Sequence, residues 1–225
     1  MFAGRRLILV LALGASTALT VALGVTTPPG AIAYPTRFMV WNLFLAWIPL
    51  MFALLYTSLR SAGTRIVAAA CWLAFLPNAP YLVTDLVHLG DGSGDGLWRH
   101  ILQYGFAAWT GVLLGVVSLR IMHVDVERNH GRLAGWCMTI VATGLCAVGV
   151  VIGRFQRHNS WDLITAPKSV ARSALQWARS PVANVRSTGV AIAVAGFFGF
   201  AYLCVWALDG LESQSNKAPA KHHEH

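Results

Sequence analysis

Charge is scarce in this chain. Only 12% of its 225 residues are Asp, Glu, Lys or Arg, while 56% are hydrophobic, and a soluble domain of that length needs far more polar surface. Acidic residues are the rarest, nine against seventeen Lys and Arg. No Walker phosphate cradle, dinucleotide fingerprint or HExxH metal motif occurs, which removes the best-known forms of those chemistries. The four cysteines, Cys71, Cys137, Cys146 and Cys204, lie inside apolar runs without metal-ligand spacing. They read as small packing residues, and neither a disulfide, a metal nor a cofactor is expected. The formal charge of +8 is scattered between the apolar runs with no aromatic-interleaved groove. Anionic lipid headgroups account for it better than nucleic acid does.

What the chain has is apolar length. Six runs approach the roughly 20 residues that cross a bilayer, near 7–25, 38–59, 64–83, 101–121, 133–153 and 189–208. The expected fold is all-α and polytopic, about six transmembrane helices plus an interfacial helix. Residues 1–208 would form one integral-membrane domain and 209–225 a flexible polar tail. The first run follows Arg5-Arg6 and could be a secretory signal cleaved at Ala31-Ile-Ala33. Its length exceeds the usual h-region of about 7–15 residues, so a retained anchor is expected.

Charge asymmetry puts the N-terminus inside, in the cytoplasmic (inner) membrane of a bacterium. Arg5, Arg6, Arg60, Arg65, Arg120, Arg128 and Arg132 then fall on the cytoplasmic side, whereas Asp85, Asp91 and Asp95 face out with only Arg99 opposing them. The basic connection 154–188 runs against this assignment. Within it, Lys168, Arg172 and Arg179 share one helical face, with Val170, Ala174 and Trp177 opposite. That pattern predicts a connector lying on the membrane surface, with a substrate lid as the alternative.

Alternating spans bring the intramembrane polar residues to one face: Arg37 and Asn42 at the start of the second span, Asn78 and Asp85 at the end of the third, and Arg154, Asn159 and Asp162 after the fifth. Pro77 and Pro80 remove backbone donors and break the third span, exposing carbonyls to Asn side chains, water or a ligand. Pro49 predicts a kink in the second span. Asp85 and His88, three apart, share a face if helicity persists past Tyr81, a spacing open to a proton relay, a ligand pair or an ordinary hydrogen bond. Arg154 or Arg157 can compensate Asp85 or Asp162, while Trp161 anchors the interface and Asn159 caps a further helix. His123, Asp125, Glu127, Arg128 and His130 read as a solvated cytoplasmic loop, and Lys221-His-His-Glu-His225 as a solvated terminus.

Three segments carry a resemblance: Trp41-Asn-Leu-Phe-Leu-Ala-Trp-Ile-Pro49, Phe75-Leu-Pro-Asn-Ala-Pro-Tyr-Leu-Val-Thr-Asp-Leu-Val-His-Leu89 and Gly153-Arg-Phe-Gln-Arg-His-Asn-Ser-Trp-Asp162. In that order the chain resembles the bacterial integral-membrane family called domain of unknown function 1361, over about residues 37–208. The resemblance implies a multi-spanning membrane protein and supplies no reaction or residue role; His158 falls where members are expected to vary. Small-solute binding or transport is the expected function, because a broken span is clearer here than a catalytic constellation. A membrane-embedded enzyme acting on a lipid or envelope precursor is the alternative, and a structural or assembly factor a third. Membrane lipids are the expected partners, with homo-oligomerisation open.

Overall fold

The computed structural model describes residues 2–26, 36–91, 97–180 and 183–215, and every regular element among them is helical. In chain order these are α1 (Phe2–Val25), α2 (Thr36–Ser58), α3 (Ala62–Phe75), α4 (Asn78–Thr84), a 3-10 segment (Asp85–Asp91), α5 (Leu97–His130), α6 (Arg132–Gln156), α7 (Asp162–Thr165), α8 (Pro167–Arg179) and α9 (Val185–Ser215). Six stretches are long and apolar enough to cross a membrane: Leu7–Val25, Phe38–Ser58, Ala62–Leu89, Leu97–His130, Arg132–Gln156 and Val185–Gly210. Large apolar side chains such as Ile8, Ile66, Ile140 and Phe200 point outward from them. In water such a surface would be an aggregation liability; in a bilayer it is the solvated one. The protein is a polytopic helical membrane protein. The segments Ala31-Ile-Ala33 and Lys221-His-His-Glu-His225, together with Asp95, lie outside the described residues.

The spine is α5, against which α1, α2, α4, α6 and α9 all pack. It admits the broken third span closely because two glycines face it. A Cβ on Gly111 would lie 2.5 Å from the Ala79 carbonyl oxygen, and one on Gly115 would lie 2.7 Å from the Ala79 Cβ. Small residues are how membrane helices bring backbones together without an aqueous driving force. On the far side, a Cβ on Gly149 of α6 would sit 2.4 Å from Pro77 Cγ. The break is therefore held in notches on two helices.

The break itself follows from its prolines. Pro80 falls in the first turn of α4, where its missing N–H is an orphan in any helix. The Leu76 N–H still reaches the Trp72 carbonyl, and Ala79 N–H then takes the Leu76 carbonyl at 3.1 Å. The Phe75 carbonyl that this shift frees accepts a bond from Asn78 Nδ2 at 2.9 Å. Pro49 has a smaller effect: α2 runs helical through it from Thr36 to Ser58.

One expectation fails at the opposite end of the bundle. The residues read as a charged loop are the last turns of α5, which at 34 residues is about 51 Å long against a hydrocarbon core of roughly 30 Å. His123 is fully buried there. Its Nδ1 is 2.9 Å from Thr139 Oγ1 and also meets the Tyr202 hydroxyl, while Nε2 lies 3.3 Å from Glu127 Oε2. Gly135 makes room, since a Cβ there would stand 2.9 Å from the imidazole. Asp125 is engaged as well, pairing with Arg65 of α3. Beside it, α9 runs to Ser215 and carries Asp209 to Arg120 at 2.7 Å.

Candidate functional site

The third span, after α4, tightens into the 3-10 segment at Asp85. In a 3-10 turn residues three apart eclipse, so Asp85 and His88 do share a face, through a tighter helix than expected. Arg154, in the last turn of α6, meets both. Its Nη1 donates to Asp85 Oδ1 at 2.9 Å and its Nη2 lies 3.1 Å from His88 Nε2. A guanidinium has no lone pair to offer, so Nε2 is the acceptor and the His88 proton sits on Nδ1. The other Asp85 oxygen accepts from Asn42 Nδ2 at 3.2 Å, which brings α2 into the network. The carboxylate is almost wholly buried, 2% exposed, and Arg154 20%. Such a pair is tolerated in a membrane because each charge answers the other.

Asn78, Asn159 and Asp162 belong to a second, adjoining network. Besides closing the break, Asn78 Nδ2 donates to Ser160 Oγ at 2.8 Å. This ties the third span to the loop after α6. Asn159 does not cap a helix with its side chain; Trp161 is the residue before α7, and Asp162 Oδ2 reaches back to accept the Asn159 backbone N–H at 2.7 Å. The carboxylate satisfies the turn more strongly than the amide would. His158 Nδ1 is 3.7 Å from Asp162 Oδ2, and its Nε2 is 3.0 Å from Ser173 Oγ on α8. Trp161 stands edge-on to Trp41, ring centres 6.3 Å apart.

The two networks border a cavity of about 1170 Å³, above the usual range for small-ligand pockets. It exists because α3 packs on α2 whereas α6 packs on α5 and α9, leaving the space between α3 and α6 unfilled. Ala70, Cys71, Ala74 and Phe75 line one wall and Leu145, Val148, Gly149 and Ile152 the other. Pro167, Val170, Ala171 and Ala174 of α8 form the roof, at the i, i+3, i+4, i+7 spacing of one helical face. At one end the walls turn polar: Asn78, Tyr81, Arg154, Arg157, His158, Asn159 and Ser160. Asp85, His88, Asn42 and Asp162 stand behind this lining.

Sequence reasoning found the polar residues and missed the space. Tyr81, whose ring lies 5.8 Å below the Arg154 guanidinium, and Ser160 sat within quoted segments without being singled out. Gly149 carried no signal at all. Among the described residues no group of three His, Cys, Asp or Glu is placed to hold a metal ion.

A family described as "Protein of unknown function (DUF1361)" matches residues 41–204, and the chain belongs to it. The matched region contains every residue of both networks and all of α3–α8, and begins after α1. No curated protein and no solved structure matches the chain.

Proposed function

We propose that this member of the DUF1361 family binds a small amphiphile drawn from the membrane, its tail between α3 and α6 and its head at residues 157–160. One observation carries the reading: a single groove that is apolar along its length and polar at one end. From Leu145 to Ile152 the apolar wall rises about 10 Å, which fits within one leaflet of a core roughly 30 Å thick. None of His123, Thr139, Tyr202 and Glu127 lines the groove. Binding from one leaflet therefore suits the groove better than passage of a solute across the membrane. The charge asymmetry of the loops supports an N-terminus in the cytoplasm and a groove that opens to the outer leaflet of a bacterial cytoplasmic membrane.

Ala74→Trp, which fills the groove from a wall that faces it, tests the proposal. Native mass spectrometry of protein released from nanodiscs should show a retained amphiphile on the wild type and none on the variant, with thermal stability unchanged. Equal retention by both would remove the groove from consideration.

An enzyme acting on an envelope lipid is the second reading, favoured by the order Ser173, His158, Asp162, which is that of a hydroxyl, a base and its orienting carboxylate. It is the weaker one. Ser173 Oγ is not part of the groove lining, and the carboxylate is already held by Asn159. As an anchor the same chain makes sense: with Gln156 Nε2 donating to the Ser173 carbonyl at 3.5 Å, it fixes α8 over the groove. A fluorophosphonate probe that labels the wild type and spares Ser173→Ala would reverse this ranking.

A further inference from the structure

Two arginines line the polar end of the groove, and among the described residues only one has its charge answered. Arg154 is neutralised by Asp85. Arg157 has neither a hydrogen bond nor an ion pair among the described residues. The nearest carboxylate in sequence, Asp162, is occupied by the Asn159 N–H at 2.7 Å and stands beside His158. Arg157 is also, among the described residues, the one non-glycine residue with positive φ, at +58°. It ends α6 in the left-handed conformation, a place where helices ordinarily use glycine and where an L side chain costs about 1–2 kcal/mol. An exposed cation in the left-handed conformation at the mouth of an apolar groove, without a partner among the described residues, suits a residue whose contact is made with a ligand. Lys168 and Arg172, on the helix that roofs the groove, add charge of the same sign.

We infer that the groove selects an amphiphile with an anionic oxygen headgroup, a phosphate ester or a carboxylate of a membrane lipid, and that Arg157 is the residue that selects it. This rests on the binding reading above. A guanidinium meets such a group with two parallel N–H bonds, stronger than neutral ones and geometrically specific. Arg154 is not free to do so without stripping Asp85 of its partner. Its part is to hold the third span against α6 while Arg157 makes the contact.

The test uses the full chain in nanodiscs of equal phosphatidylglycerol and phosphatidylcholine, with retained lipids identified by native mass spectrometry. The wild type should keep the anionic lipid over the zwitterionic one by on the order of tenfold, the scale of one charge-assisted contact. In Arg157→Gln that preference should fall to near unity, through loss of the anionic lipid with the zwitterionic lipid retained as in the wild type, and Arg157→Lys should restore part of it. Inorganic phosphate added at millimolar concentration should leave the ratio as it was. A preference absent from the wild type, or surviving in Arg157→Gln, overturns the inference; so does displacement by inorganic phosphate, which would make the ligand a free anion. Ala74→Trp separates this failure from that of the underlying reading, because groove-bound lipid should vanish there whatever its headgroup. If Ala74→Trp retains lipid like the wild type, the groove itself is not the binding site.

Discussion

The two ends of the bundle each bury an ionisable cluster and solve the problem differently. At one end His123 is enclosed by Thr139, Tyr202, Trp136 and Glu127, and none of these lines the cavity. At the other, Asp85 is buried to the same degree, but the arginine that answers it forms part of the wall of an open groove. A buried polar cluster is thus not by itself a sign of a binding site in this protein. What distinguishes the second end is adjoining space and a cation, Arg157, that no described residue pairs.

The comparison breaks most readily at Arg154. Arg154→Ala should cost about 3–5 kcal/mol, because it strands a buried carboxylate, and Arg154→Ala with Asp85→Asn should recover much of that loss in a thermal unfolding assay. Next in size is Gly149→Leu, which overpacks the seat of Pro77 and should cost roughly 1–3 kcal/mol while also weakening lipid retention. At the sealed end, Tyr202→Phe removes one hydrogen bond to His123 and should cost about 1 kcal/mol, leaving lipid retention untouched; a change in retention would show that the ends are coupled. The smallest effect has the opposite sign. Arg157→Gly relieves the left-handed strain and should raise stability by up to about 1 kcal/mol while abolishing the headgroup preference, a trade expected where strain serves binding.

Much of this was legible in the chain. Apolar run length gave the six spans, because a bilayer imposes length directly. The prolines at 77 and 80 announced the break, and Asn78 closes a carbonyl there as their chemistry requires. Alternation of spans put Asn42, Asp85 and Arg154 at one face, with His88 following from its spacing to Asp85; that these four bond one another is seen only in the fold. The pairing within the loop was less accessible: Asn159 and Asp162 both suit a cap, and only the path of the backbone decides that the carboxylate does the work. The end of α5 was misread because charged residues at 123–130 look like loop, whereas the helix outruns the hydrocarbon and carries them on its own turns. The groove could not be read at all. It depends on α3 and α6 packing mainly on other helices, a property of packing among distant helices that no local pattern records.

The most direct test is an experimental structure of the protein crystallised from a lipid mesophase containing phosphatidylglycerol. Elongated density between α3 and α6, ending in a headgroup within hydrogen-bonding distance of Arg157, is the predicted result. Helices α3 and α6 packed against each other, with Arg157 paired to a side chain of the protein, would contradict the account.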